Sequence, residues 1–590
     1  MAAWWWLNHQ NGHDAQPALL TNEGYSLSRF ELSAAVRAAA FCLAGHGVRR
    51  HDRLALLMAA GPEMACSLLA GMSVATVAPL VPTAPQESLL VDLSRLKVTH
   101  VLVDVDPPGA LLAAASRLDL PVIRLNPLAL PAVAAADGPR PADQDLALLL
   151  QTSGTTSQPK VVPLTHSNLW ASACSVAEVL ALGPMDRSLA AMPLFHIHGI
   201  VACMLAPLLA GGSVICCRRN TPEAVLAAME SQQPTWMSAV PTLLQCLLAE
   251  LDRRQTPLLC PQLRLLRSSS SPLPPAVLQR LEAVFRVPVI EAYGMTEAAH
   301  QICSNRLPGA GPTRQPGSVG LAAGPEVVVL GPDHQPRPVG ERGEVAIRGV
   351  NITAGYEGSE TGGWVGNTAG GRWFLTGDEG YLDAEGRLSL TGRLKEMINR
   401  GGVKVIPRRV DEALLQHPAV EQALAFAIPH ATLGEDLAAA VVLRPGAQED
   451  EQNLRRHAFA LLAPHEVPSR VVLLDELPWG ATGKPQRIGL ATKLAQLLQP
   501  GEDPASGELE ELVAQIMANV LQQPTPGRHA NFFLLGGDSL SGQRVVSSLE
   551  QQLALELTPS LLFEYPSVRS LAERLDQLLD QALAGVERLG

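Results

Sequence analysis

Six short segments of this chain carry residue types suited to phosphate, sugar or thiol chemistry. Gln151–Lys160 reads QTSGTTSQPK and follows the apolar run Leu146–Leu150. A strand feeding a loop of hydroxyls and glycine suits phosphate: backbone N–H groups and Ser/Thr hydroxyls donate, and Lys160 adds charge. It is not a Walker loop, which needs GxxxxGK[ST] opening a helix. Glu291–Glu297 (EAYGMTE) follows the run Val287–Ile290 and offers an aromatic ring, a glycine and a Thr–Glu pair. Those groups can stack a base and hold a magnesium ion near phosphates. Thr376–Asp378 (TGD) sets a carboxylate after a strand, where it can accept from ribose hydroxyls. Gly392–Arg393–Leu394–Lys395–Glu396 runs on to Asn399–Arg400–Gly401–Gly402, and Gly480–Lys484 (GATGK) offers one lysine on a flexible loop. Last, Phe533–Leu540 (FLLGGDSL) places Ser539 at the start of a helix, where the N-terminus favours an attached phosphate.

Singly, each segment has a plain structural explanation: a surface loop, a helix start, a turn aspartate, an N-cap serine. The elements around them say more. From about Ala18 to Ala323, short runs (Leu54–Met58, Val101–Val105, Val122–Leu125, Val287–Ile290) alternate with Ala/Leu-rich segments such as Ala34–Ala44 and Thr221–Ser231. That alternation predicts mostly parallel sheets covered by helices. After Pro325 the runs Val327–Leu330, Gly343–Arg348, Trp373–Thr376 and Leu388–Thr391 are spaced by Gly, Asp and Pro, which suggests a more antiparallel, barrel-like piece. Gly392–Arg400 reads as a connector, Val410–Ala495 as mixed α/β, and Pro500–Gly507 (PGEDPASG) as a linker. Ser506–Gly590 carries five arginines against eleven carboxylates, half of the chain's net charge of −12. Its apolar stripes (Val546, Leu549, Leu553; Val568, Leu571, Leu575, Leu578) predict a small acidic helical bundle.

With 590 residues, several domains are expected. The negative charge, and the lack of a basic stripe interleaved with aromatics, argue against nucleic-acid binding. Nine scattered cysteines without CxxC or zinc spacing read as reduced core thiols in a cytoplasmic protein. No signal peptide is expected, and Trp4, Trp5 and Trp6 read as packing an N-terminal strand. Ile200–Cys217 is nearly long and apolar enough to span a bilayer, but Pro207 and Gly211–Gly212 interrupt it. It reads as a buried helix, a turn and a buried strand, so no membrane association is expected.

The order and spacing of the five segments before the carrier-like one resemble the adenylate-forming superfamily of acyl-CoA synthetases, luciferase-like enzymes and peptide-synthetase adenylation domains, over roughly residues 15–495. The resemblance implies an α/β fold: a large N-terminal core (1–392) of two α/β subdomains and a small β-barrel, then a small mobile α+β subdomain (393–498). Beyond a linker (499–507), residues 508–585 resemble a four-helix acyl or peptidyl carrier domain, with Ser539 at its phosphopantetheine position. By the same resemblance, Thr152, Ser153, Gly154, Thr155, Thr156 and Lys160 would wrap the ATP phosphates. Tyr293, with Gly294, would stack on adenine; Thr296 would contact phosphate, and Glu297 would bind Mg2+. Asp378 and Arg393 would hold the ribose, and Lys484 would bridge the carboxylate and the α-phosphate. Lys395 would be the hinge, and Gly401–Gly402 would line the thiol's tunnel. Two departures stand out: Ser157 replaces a customary glycine, and Val403 a frequent acidic residue.

Amino-acid-activating members of that superfamily place an aspartate after the segment matching Pro193–Gly199 (PLFHIHG); here no acidic residue appears before Glu223. An α-amino acid is therefore disfavoured. Arg267–Pro272 (RSSSSP), Ala292–Asn305 and Pro316–Gly320 (PGSVG) resemble oxalate–CoA ligases and their bacterial neighbours. That resemblance implies that Ser269 or Ser270 and His300 meet a small polar or dicarboxylic acid, with His196 across the pocket. The expected reaction is adenylation of the acid and its transfer to the chain's own carrier thiol, as in nonribosomal peptide or polyketide assembly. The alternatives are release of a free CoA thioester, or loading of an amino acid. A phosphopantetheinyl transferase and a downstream acyl-accepting enzyme acting in trans are the expected partners.

Overall fold

The computed structural model describes residues 15–131, 141–152, 159–255, 257–309, 314–359, 363–368, 371–430, 433–478, 487–498, 503–533, 535, 537, 539–558 and 561–587. Trp4, Trp5 and Trp6 therefore lie outside the described residues. The chain forms two compact units, Met1–Leu390 and Thr391–Gly590.

The first unit contains three sheets. One has nine strands, whose central members Val289–Met295, Leu265–Ser269, Trp236–Ala239, Arg187–Ala190, Ser213–Cys216 and Pro17–Thr21 run parallel. Antiparallel strands His300–Ser304 and Leu321–Ala322 close one edge, and Ser26–Ser28 the other. A second sheet of six strands is parallel except for its last hairpin, Leu146–Thr152 with Lys160–Thr165. The strands are buried along nearly their whole length, as parallel strands covered on both faces must be. Their helices start where the side chains dictate. Ser28 and Glu31 form a capping box on Arg29–Gly45, Thr165 and Asn168 form one on His166–Val179, and Thr221 caps Pro222–Gln232.

The expected barrel-like piece is a five-stranded sheet in which Glu326–Leu330, Gly343–Arg348, Gly371–Leu382 and Trp364–Thr368 pair in that order and Leu388–Arg393 joins Gly371–Leu382. Its first four strands are antiparallel, and among the described residues no pairing joins its two ends into a closed barrel. The apolar run at 200–217 is interior, as expected, but its helix begins as a π-helical segment, His198–Leu205, before Ala206–Leu209 and the strand Ser213–Cys216. Among the described residues no helix is long and apolar enough to cross a membrane. Among the described residues, none of the nine cysteines is in a disulfide. Five are buried, and burial pushes the Cys203 and Cys217 thiols up to about 12; Cys246, by contrast, is exposed.

The second unit holds a sheet of five strands, Val403–Val405, Ile398–Arg400, Gly434–Leu443, Val420–His430 and Arg470–Leu473. From residue 503 onward it holds four helices, Glu508–Leu521, Ser539–Leu553, Leu561–Glu564 and Val568–Glu587. Val513, Met517, Phe532, Val546, Leu549, Val568, Leu571 and Leu575 form their common core, as the apolar stripes predict.

Candidate active site

The phosphate-loop segment joins the two strands of an antiparallel hairpin, whose register sets Thr152 directly opposite Lys160. Ser153, Gly154, Thr155, Thr156 and Ser157 lie outside the described residues. The Lys160 ammonium stands 4.0 Å from the centroid of the Tyr356 ring. The Tyr356 hydroxyl in turn donates to Glu297 Oε1 at 2.7 Å. Burial, and then the Glu297 charge, raise the Tyr356 phenol above its ordinary pKa, so it stays a donor. Glu297 sits in the 3-10 turn Thr296–Ala298 immediately after Val289–Met295. Its carbonyl accepts from Thr353 N, and Thr353 Oγ1 donates to Pro163 O at 2.7 Å. The Thr–Glu turn is thus laced to the phosphate-loop hairpin. Tyr293 and Asp378 meet as well: the phenol donates to Asp378 Oδ2 at 2.5 Å. Gly294 lies one residue on, opposite Gln301, and Thr296 is half-buried.

A second cluster forms at the ends of the neighbouring parallel strands. Trp236–Ala239 and Leu265–Ser269 pair so that Ser238 lies beside Arg267, and cross-strand partners share a face. Arg267 is wholly buried, and burial pulls its guanidinium down to about 10, still cationic at neutral pH. Its terminal nitrogens donate to Ser238 Oγ (3.0 Å), His300 Nε2 (3.1 Å) and Gln301 Oε1 (2.6 Å). Because arginine only donates, His300 Nε2 accepts, and the ring carries its proton on Nδ1. Ser238, receiving from Arg267, gives its own proton to His198 Nε2 at 2.7 Å, and His198 Nδ1 donates to Ser270 Oγ at 3.1 Å. The two imidazoles stack with centroids 4.8 Å apart. Ser270 (φ 75°) and His300 (φ 96°) both hold left-handed backbone without being glycine, a cost characteristic of functional positions. Within this network Arg267 Nε, Ser268 Oγ, Ser269 Oγ and Gln301 Nε2 are buried with no hydrogen-bond partner.

The structure brings His300, Ser269 and Ser270 to one cluster, and the histidine stacked on His300 is His198 rather than His196. His196 lies half-buried against Phe195, ring centroids 4.7 Å apart. Both histidines are visible in PLFHIHG, and only the three-dimensional winding separates them. Arg267 opens RSSSSP but was assigned no role from sequence, and Tyr356 and Ser238 carried no signal at all.

In the second unit, Arg393 ends the strand Leu388–Arg393, with Lys395 exposed two residues beyond. Gly401 (φ 59°) and Gly402 (φ 89°) form the two-residue turn between Ile398–Arg400 and Val403–Val405. Positive φ at both positions is what such a hairpin demands. Gly401 N donates to Leu433 O, and Gly402 N to Asn399 Oδ1. Lys484 lies outside the described residues. Three residues later, Arg487 pairs with buried Asp411, donates to Ala425 O at 2.6 Å and reaches Glu396 at 3.3 Å. Ser539 is the first residue of its helix. Just before it, a Cβ on Gly537 would meet the Phe532 ring at 2.2 Å, so this glycine of the FLLGGDS segment is sterically required.

The pattern of matched residues decides the family. Residues 6–357 match the AMP-binding enzyme family, residues 409–484 the AMP-binding enzyme C-terminal domain, and residues 511–575 the phosphopantetheine attachment site. The chain belongs to the AMP-binding enzyme family. Like the family's other members, this AMP-binding enzyme is an ATP-using, adenylate-forming ligase acting on a carboxylic acid, and it carries a phosphopantetheine attachment domain. It is 38% identical over 408 residues to the oxalate–CoA ligase of Saccharomyces cerevisiae, covering 69% of this chain and 73% of that one. It is 41% identical to the oxalate–CoA ligase of Arabidopsis thaliana (67% and 74% covered) and 40% identical to the sulfoacetate–CoA ligase of Cupriavidus necator (63% and 73%). Among solved structures, ATP-bound MatB from Rhodopseudomonas palustris superposes with TM-score 0.77 at 28% identity, covering 85% of this chain and 100% of that one. MenE from Bacillus subtilis, with its acyl-adenylate, gives 0.74 at 28% identity, covering 86% and 99%.

Proposed function

We propose that the protein activates a small dianionic carboxylic acid of the oxalate type and loads it onto the phosphopantetheine thiol carried by Ser539. The observation that carries this reading is the set of buried donors around Arg267, with Arg267 Nε, Ser269 Oγ and Gln301 Nε2 still lacking acceptors. A buried cation is costly unless a counter-charge completes it. A second anionic group on the substrate supplies that charge, whereas a fatty chain would leave Arg267 Nε, Ser269 Oγ and Gln301 Nε2 unpaired. The similar ligases named for oxalate and sulfoacetate both handle small dianions.

The chemistry follows in two balanced steps. The acid's carboxylate attacks the α-phosphorus of ATP and expels pyrophosphate; the pantetheine sulfur then attacks the acyl carbon and expels AMP. The first step brings two anions together, so it needs neutralisation and alignment more than proton transfer. In this reading Thr152, Lys160 and the segment between them serve the phosphates, Tyr293 and Asp378 the nucleoside, and Lys484 the reacting carboxylate. The nucleotide side fits Mg2+, which binds through one or two carboxylates plus substrate phosphates rather than a protein cage. Glu297 provides one buried carboxylate, and among the described residues no larger His/Cys/Asp/Glu cluster forms. There Mg2+ would neutralise the phosphates. Arg393 and Lys395 open the second unit, whose Gly401–Gly402 turn would line the thiol's path once pyrophosphate has left.

Intact-protein mass after incubating the pantetheinylated chain with ATP and a panel of acids tests the reading. Oxalate and similar short dianions should give an acylated carrier. Activity confined to medium or long fatty acids would refute it. Release of acyl-CoA alone, when CoA is supplied, would favour the second reading, a ligase whose acceptor is free CoA, as the names of the similar enzymes suggest.

A further inference from the structure

We propose that the face of the carrier formed by Asn531, Phe533 and Tyr565 is a docking key for Ser469, His430 and Arg456 of the sheet-bearing part of the second unit, and that this key selects the chain's own carrier as acyl acceptor. The proposal rests on the cis-loading reading above and deepens it by naming the surface responsible.

The contact is reciprocal. Asn531 is 3% exposed and donates through Nδ2 to Ser469 O at 2.5 Å. Its Oδ1 accepts from Phe533 N at 3.0 Å, an Asx turn that shapes the loop six residues ahead of Ser539. In the other direction, His430 Nδ1 accepts from Leu433 N at 3.1 Å, so the ring's proton lies on Nε2, which donates to the Phe533 carbonyl. A side chain from each partner therefore satisfies a buried backbone carbonyl of the other. Separation exposes both carbonyls to a choice between water and nothing, and an unmade buried bond is the expensive outcome.

Cations frame these two bonds. The Arg400 guanidinium, held by Asp436 at 2.7 Å and by His465 O and Val467 O, stands 6.0 Å from the Phe533 ring. Arg456 stands 5.7 Å from the Tyr565 ring, and the helix Glu451–Leu461 packs against Leu561–Glu564. A partner of net negative charge is what such a face recruits, and the carrier segment carries eleven carboxylates against five arginines.

Place adds meaning to the chemistry. Leu433 lies at the tip of the hairpin Val420–His430/Gly434–Leu443, and its carbonyl accepts from Gly401 N. The key and the Gly401–Gly402 turn thus belong to one hydrogen-bonded edge. A docked carrier starts its arm from the edge expected to line the thiol's path. Free CoA offers none of these groups.

Two variants of the full, pantetheinylated chain test this. Asn531→Asp keeps the Asx acceptor for Phe533 N but sets a carboxylate against Ser469 O; Arg456→Glu alters the other face and leaves the carrier untouched. Single-turnover acylation of the carrier should fall about tenfold in Asn531→Asp and about threefold in Arg456→Glu. Pyrophosphate exchange, acyl transfer to free CoA and the extent of pantetheinylation should stay at wild-type values. Unchanged carrier acylation in both variants, or an equal fall in transfer to free CoA, overturns the key while leaving cis loading intact. A wild-type chain that makes acyl-CoA but never an acyl-carrier overturns the cis-loading reading, and this proposal with it.

Discussion

The Arg267 cluster and the Gly401–Gly402 edge make an instructive pair. The first is interior: Ser238, Arg267, His198 and His300 are buried, held by mutual hydrogen bonds at the ends of two parallel strands. The second is exposed, a tight turn on a short hairpin, with Lys395 equally open to solvent. A group that must discriminate between acids gains from a dry, rigid surround, where an unpaired donor is costly. Groups that must arrive and leave between half-reactions cannot be buried in one place. In the proposed reading, selection falls to the first unit and timing to the second.

The largest effect should come from Lys484→Ala, which should lower adenylate formation by about a thousandfold, judged by pyrophosphate exchange, as loss of one pre-organised charge does. Acid binding measured by calorimetry should persist, because the selecting residues lie in the other unit. A parallel loss of binding would break the division just drawn. Next, Arg267→Met should raise KM for the dianionic acid about a hundredfold and leave KM for ATP near wild type. With a folded pKa of about 10, Arg267 is cationic below that pH and neutral above it. Wild-type KM for the acid should therefore rise above about pH 10, and that limb should be missing in Arg267→Met. The smallest effect belongs to Tyr356→Phe. Removing one hydrogen bond to Glu297 should cost about two- to tenfold in kcat/KM for ATP, with acid discrimination in competition assays unaltered.

Much of this could be read before any coordinates, for identifiable reasons. Alternating apolar runs and Ala/Leu segments specify covered parallel sheets, and they do so here for Leu54–Met58 and Val101–Val105. The carrier's stripes placed Val546, Leu549, Leu571 and Leu575 in one core. Residues of separate motifs also come together, since Tyr293 meets Asp378, and Lys160 reaches Glu297 through Tyr356. What escaped was long-range pairing. Arg267 matters because Ser238 lies opposite it and His300 returns on an antiparallel strand thirty-three residues later. No window of local sequence contains that coincidence. The open five-stranded sheet escaped for a similar reason: strand runs reveal alternation, whereas closure depends on which edges pair.

The winding of His198–Leu205 has an evolutionary corollary. A π-helical segment carries one residue more per turn than its α-helical neighbours need. An α-helix turns about 100° per residue, so deleting a single position there would rotate His198 away from Ser238 and Ser270 and bring a different side chain against His300. If that cluster selects the acid as proposed, one residue gained or lost there shifts its preference in a single discrete step rather than gradually.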